Sequence, residues 1–253
     1  MPMPTFAAEL RKLLTVPSTY AAAALAFVVG AGMAAYLAGS EATLADLAQH
    51  TFLATKVADT MAIVAILGAV VGVLVVTHEY RYDLLPYTLI ATNNRNKVLV
   101  AKLAVVTTFA VVVSLGVDLV ALAASSVTAH LVHGHELAPQ TLAYGDLLWR
   151  TVLYGWGYAI AGTAIALLVR NQVGAVVTAF VLFGPVEGIL SSTFGRYGYL
   201  MPFTALANVL GSKLSNEALT SVSHQQAALA FLVDITIAVS VGWVGFMRRD
   251  ASA

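Results

Sequence analysis

Asp118, Glu187 and Asp234 each stand inside a long apolar run of this sequence. An ionised side chain near the centre of a bilayer costs about 2.5–3.5 kcal/mol on insertion scales. Each of the three must therefore face a cavity, a partner helix or the interface. Placed there, a carboxylate can relay protons or line a path for cargo, or it can simply hydrogen-bond a neighbouring helix. Glu187 follows Gly184 and Pro185, a pair that breaks a helix, and is the best placed of the three for a pathway role. His130, His133 and His135, followed by Glu136, have the residue types of a zinc site. An ordinary polar loop explains them as well, and no metal is expected. A further polar knot, THEYRYDLLPYTLIATNNRNKVLVAK from Thr77 to Lys102, holds six charged side chains and a histidine between two apolar runs.

Several chemistries are excluded. No G-x-x-x-x-G-K-[ST] occurs, and Gly211-Ser212-Lys213 lacks the earlier glycine, so the chain has no phosphate cradle of its own. Nothing resembles G-x-S-x-G or H-E-x-x-H, and an enzyme is not expected. With no cysteine there is no disulfide, thiolate site or cysteine nucleophile. Equal numbers of acidic and basic residues argue against a nucleic-acid partner.

The elements that must position these residues are membrane helices. Of the 253 residues 59% are hydrophobic and 10% charged, and the mean hydropathy is +0.84. Apolar runs long enough to cross a ~30 Å hydrocarbon core place spans at about 19–38, 59–77, 99–129, 150–169, 173–191 and 225–247. The expected fold is all-α, a polytopic membrane protein with six transmembrane helices. Residues 1–253 form a single transmembrane domain, with no soluble domain left over. The third run is long enough to tilt or to project beyond the bilayer. Residues 192–224, with Gly195, Gly198, Pro202 and Gly211, form an irregular external segment.

With both termini in the cytoplasm, Arg11, Lys12, Arg81, Arg95, Lys97, Lys102, Arg170, Arg248 and Arg249 lie inside. Only Lys56, Arg150, Arg196 and Lys213 then lie outside, as the positive-inside rule asks. The first run, Tyr20 to Ala38, is too long for a cleavable signal peptide and reads as a permanent span. Before it, Phe6, Leu10, Leu13 and Leu14 mark one face of an interfacial helix over 1–17, with Glu9, Arg11 and Lys12 off that stripe and Pro17 ending it.

Within the knot, Asp83 can cap a short helix that begins at Leu84, with Pro86 in its first turn. Leu84, Leu85, Tyr87, Leu89 and Ile90 give that helix an apolar side, which needs lipid or a partner protein to cover it. Asn93 and Asn94 end it, and one of them can cap the third span. Gly68 and Gly72 form a G-x-x-x-G in span two that favours close helix packing, whereas the recurrence of Ala22, Ala26, Gly30, Ala34 and Ala38 along span one is a pattern that so alanine-rich a chain readily produces by chance.

The stretch EYRYDLLPYTLIATNNRNKVLVAK resembles the first cytoplasmic loop of ABC transporter permeases of the type-2 family, through Glu79, Tyr80, Arg81, Leu89, Ala91, Thr92, Arg95, Ala101 and Lys102. The segment from Leu182 to Leu210 is similar to the fifth span and the external segment after it. Asp83-Leu84 stands where members often have Gly-Thr, and Asn93 where they often have Pro. The resemblance implies that the loop at 78–97 is a coupling helix docked on a cytoplasmic ATPase subunit. Glu79, Tyr80, Arg81, Asp83, Leu84, Leu85, Tyr87 and Arg95 would carry the coupling. It further implies the permease subunit of an ATP-driven exporter in a bacterial plasma membrane. Two ATPase subunits would bind ATP and Mg, and a second permease copy or homologue would complete the pathway among membrane lipids. The alternatives are a proton-coupled secondary transporter using Asp118, Glu187 or Asp234, and a non-transport membrane anchor for an ATPase.

Overall fold

The computed structural model describes residues 3–40, 43–140, 144–211 and 222–248. Among them there are helices, turns and no strand. Six helices or helix pairs are long and apolar enough to cross a membrane: Pro17–Ser40, Phe52–Arg81, Arg95–Glu136, Gly145–Val169, Gln172–Phe194 and His224–Arg248. The chain is a multi-pass all-α membrane protein.

In chain order, α1 covers Met3–Thr15, α2 Pro17–Ser40, α3 Leu44–Leu47 and α4 Phe52–Arg81. After them come α5 (Leu85–Thr92), α6 (Arg95–His133), α7 (Tyr144–Val169) and α8 (Gln172–Val181). A π-helical turn, Leu182–Val186, joins α8 to α9 (Glu187–Phe194), and α10 (Pro202–Leu210) and α11 (His224–Arg248) complete the described chain. All six expected spans are present, and most run past the expected ends. The largest difference is in span two, which starts at Phe52 rather than near Asp59, so Lys56 falls inside the helix, where both Lys56 and Asp59 are buried. Lys56 lies 5.5 Å above the Phe52 ring. Hydropathy stops at the first charge; a helix continues if that charge has an inward neighbour.

Caps define the helix ends at the polar knot. Asn93 and Arg170 each take a left-handed backbone conformation, with φ 48° and 56°. In each case an asparagine follows and caps the next helix. The Asn94 side chain accepts from the Lys97 N–H at 3.1 Å, and the Asn171 side chain accepts from the Gly174 N–H at 2.8 Å. Asp83 behaves differently from expectation. It does not cap α5: Leu84 holds the N-cap position with no side-chain cap bond, and the helix starts at Leu85. Asp83 instead has φ 51°, and the Leu84 N–H returns to the Glu79 carbonyl at 2.9 Å. That is a Schellman stop for α4, and a short polar side chain tolerates the left-handed position it needs.

The core is the α4–α7 pair. A side chain at Gly72 would run into the Ala159 carbonyl, one at Gly162 would meet the Ala69 carbonyl, and one at Gly68 would lie 3.4 Å from the Gly155 carbonyl. The two helices therefore pack backbone against backbone, and the G-x-x-x-G of span two serves contact within the chain. The small-residue stripe of α2 is a contact too: Ala26, Gly30, Ala34 and Ala38 are buried. At Gly30 the neighbour is Val117 of α6. Span five and α11 lie at the margin, with most of their apolar surface exposed.

Candidate functional site

At one end of the bundle, α1, the last turn of α4, α5 and the first turns of α6 meet around four charges. Lys12 of α1 donates to Glu9 Oε1 at 2.6 Å, to Glu79 Oε1 at 2.5 Å and to the Thr88 hydroxyl at 3.0 Å. Lys102 of α6 donates to Glu9 Oε2 at 2.8 Å and to the Val75 carbonyl at 3.3 Å, and its Nζ lies 3.0 Å from Glu79 Oε2. Each glutamate thus lies between two ammonium groups, and the set is neutral. Glu9, Glu79 and Lys102 are 4%, 3% and 2% exposed, so water does not solvate them.

This knot ties four elements together. Glu79 is the α4 contribution, Lys102 that of α6, and Glu9 and Lys12 that of α1. Thr88 brings in α5, its Oγ lying 3.2 Å from Glu79 Oε1. Such a buried arrangement is worth little against an apolar replacement, but removing one partner strands another charge and costs about 3–5 kcal/mol. Burial pulls the Lys12 ammonium down, yet its hydrogen bonds to Glu79 and Glu9 outweigh that. Its pKa ends above the ordinary lysine value.

The location of Glu9 corrects the expected face of α1. Phe6, Leu10 and Leu13 pack against α4 and α6, beside Val71 and Val105. Leu14, however, is 47% exposed, while Glu9 sits inside the apolar stripe. A carboxylate can occupy a core-facing position because Lys102 comes to meet it.

Around the knot, α5 has two unlike sides. Leu85 is buried with Val73, Val76, Leu99 and Leu167. Tyr87 and Ile90 are 73% and 78% exposed, and the N-cap residue Leu84, 41% exposed, borders the cavity beside Glu9, Lys12 and Glu79. The remaining residues of the motif are braces. Arg81, exposed, donates to the Gln172 side chain at 3.1 Å, which links the α4 and α8 ends. The Arg170 guanidinium lies 5.3 Å above the Tyr80 ring. Arg95 donates to the Met247 and Phe246 carbonyls at 3.2 and 3.4 Å, and so binds the end of α11. The Trp243 indole donates to Asn96 at 2.9 Å in the same joint. Asp83 is exposed beside them.

The carboxylates within the spans lie apart from this knot and share no hydrogen bond, although Asp234 lies near enough to Glu187 to repel it. Asp118 of α6 accepts from the Thr151 hydroxyl of α7 at 2.7 Å through one oxygen; the other is buried without a hydrogen-bond partner among the described residues. Glu187 begins α9 directly after the π-helical turn and accepts from the Thr204 backbone N–H in the first turn of α10. Asp234, on α11, is half-buried, and its Oδ2 has no hydrogen-bond partner among the described residues. Of the histidines, His133 meets the Ala38 carbonyl at 2.9 Å. No cluster of three metal-ligating side chains occurs among the described residues.

Residues 5–185 match the family described as ABC-2 family transporter protein. The chain belongs to the ABC-2 transporter family. Comparison with curated proteins finds no match. The matched region spans α1 through most of the π-helical turn, so it includes the whole charged knot and Asp118. Glu187 and Asp234 lie beyond it. Family membership makes the chain a membrane component of transport, a permease.

Sequence reasoning named Glu79 but passed over Glu9, Lys12, Thr88 and Lys102 as site residues. One signal was available: a glutamate and a lysine three residues apart on an otherwise apolar helix, and a lysine two turns into an apolar span. Charges that local sequence leaves unexplained have to find each other.

Proposed function

We propose that the chain is the membrane subunit of an ATP-driven exporter in a bacterial plasma membrane, with the knot end and both termini in the cytoplasm. Separate ATPase subunits, two per assembly, bind ATP and Mg, and a second copy or a homologue pairs with this chain to complete the pathway. The observation that carries the reading is the double-sided α5. Tyr87 and Ile90 form an exposed apolar surface at the basic end of the bundle, while Leu85 and Thr88 fasten the inner side to α4 and α6. A push on the exposed side passes directly to two spans, because Glu79 and Lys102 leave little slack between them. Arg81 and Arg95 carry the same displacement to α8 and α11. Glu79 is then a positioning residue for the coupling helix, since its burial keeps a partner from touching it.

That distinction selects the test. Charge reversal at Glu79 would unfold the knot and confuse docking with stability. Tyr87→Glu and Ile90→Glu change only the exposed side. Co-purification of the partner ATPase with each variant, and the ATP hydrolysis it supports, is the measurement. Loss of both, with unchanged melting of the permease, is the expected result. Retention of both would reject α5 as the docking element, and ATPase recruitment with no cargo flux would favour the anchor alternative.

A further inference from the structure

We infer that Glu187 and the aromatic side chains around it form a binding site for organic cations, with a quaternary or tertiary ammonium group held against an aromatic wall. The inference rests on the permease reading for its meaning, because it names a class of cargo.

Tyr154 and Tyr158 from α7, Phe183 from the π-helical turn and Phe203 from α10 converge on one cavity with Glu187 in its wall. The rings meet one another at steep angles. Tyr158 and Phe183 have centroids 5.2 Å apart at 77°, Tyr158 and Phe203 are 5.1 Å apart, and Phe183 and Phe203 are 4.0 Å apart. At these separations the rings touch and form one wall of the cavity, and a cation resting on that wall comes within reach of more than one π face. The cavity measures about 200 Å³, and an apolar hole of roughly 150 Å³ already accepts benzene.

Charge points the same way. Glu187 is 7% exposed, and no described lysine or arginine pairs with it. A buried carboxylate without a counter-ion is costly. The backbone N–H and hydroxyl of Thr204 and the backbone N–H of Phe203, at the start of α10, meet part of that need, while the nearby Asp234 carboxylate adds to it. A cation in the cavity would meet the rest. Glu187 has a packing role as well, holding α10 against span five, so the two roles must be separated by experiment.

The cavity has a mouth. Gly184 and Gly188 both line it, and a side chain added at either would meet nothing within 4 Å. Two glycines one turn apart leave an opening on the exposed flank of span five, through which the remainder of an amphipathic cation can extend. The π-helical turn that offsets them, Leu182–Val186, contains Pro185. Such turns inside helices frequently mark functional sites.

The test is calorimetric titration of the purified full chain, in a non-ionic maltoside micelle, with benzyltrimethylammonium. Its uncharged carbon isostere, neopentylbenzene, serves as the control. Glu187→Gln removes the charge but keeps an oxygen for the Thr204 N–H. Gly188→Leu fills the mouth without touching the core. Saturable binding of the cation is expected, at least about tenfold tighter than that of the isostere. Glu187→Gln should weaken it about tenfold or more, and Gly188→Leu should abolish it, with both variants melting as the parent does. Competition by phosphatidylcholine added to the micelle, matched against competition by soluble amines, tells a lipid headgroup from a free cation; either supports ammonium recognition. Absence of saturable binding, or binding that survives both substitutions, would overturn the inference. No ATPase is present in this assay, so its outcome is independent of whether α5 docks one.

Discussion

Glu79 and Glu187 are both glutamates near the end of an apolar helix, 3% and 7% exposed, and they are held in opposite ways. Two ammonium groups and a hydroxyl surround Glu79. Glu187 has a backbone N–H and an aromatic cavity. Asp118, with a single threonine donor, resembles Glu187 in this respect. Where cations from two helices converge, a carboxylate is a fastening and has no charge to spare. Where only neutral donors meet it, no cation among the described residues offsets its charge. Position in a span, which is what hydropathy reads, does not distinguish the two.

Substitutions can break that contrast, and the largest effect is expected at the knot. Lys102→Met leaves Glu9 and Glu79 with Lys12 alone between them, and should destabilise the protein by about 3–5 kcal/mol. Unfolding of the purified chain in detergent measures it. Asp118→Asn retains the Thr151 hydrogen bond and should cost far less. If the two variants melt alike, the fastening account of the knot fails.

Both regions hang on the α4–α7 pair, so a second experiment asks how tightly that frame is set. Gly72→Ala forces a methyl group into the Ala159 backbone and should cost about 1–3 kcal/mol by overpacking. Gly32→Ala, where an added side chain meets nothing within 4 Å, should be neutral or slightly stabilising, by up to ~1 kcal/mol of helix propensity.

A smaller effect sharpens the neutral-donor side. Thr151→Val removes the hydrogen bond to Asp118 and should cost about 1–3 kcal/mol. The double variant Thr151→Val with Asp118→Leu replaces both partners by apolar groups and should recover most of that loss. A double-mutant cycle with no coupling between these two sites would show that Asp118 is held by something else.

The mildest expectation concerns pH. The folded pKa of Lys12 is raised, so its contribution is fully present below the ordinary lysine value of ~10.4 and is lost only as pH rises through the higher folded value. Titrating from neutral pH upward, attachment of α1 should stay constant to about pH 9 and weaken only in strong alkali. Hydrogen exchange of the α1 amides, corrected for the intrinsic rate, reads this out. Loosening of α1 near pH 8 would mean that Lys12 is not held by the two glutamates.

The sequence made much of this architecture legible, for reasons that can be named. Six apolar runs of spanning length, Pro17 at the start of α2 and Asn94 before α6 are local signals, and each works through neighbours within a few residues. The Gly68–Gly72 pair lies at a close helix contact whose partner residue, Ala159, no local pattern could name, because it belongs to a different helix. Asp83 was misread because aspartate suits both an N-cap and a left-handed stop, and the backbone settles which. The inward turn of Glu9 was out of reach for another reason. An acidic residue on an amphipathic helix belongs in water unless a cation 93 positions later is already waiting for it.

The absence of cysteine from the chain permits one decisive measurement. A single cysteine is placed in turn at Tyr87, Ile90 and buried Leu85, and each variant is co-expressed with the partner ATPase and treated with a short bismaleimide. Cross-links to the ATPase at 87 and 90, with none at 85, are the predicted result. Their absence at 87 and 90 from an assembly that still hydrolyses ATP in response to cargo would contradict the claim that α5 is where force enters this permease.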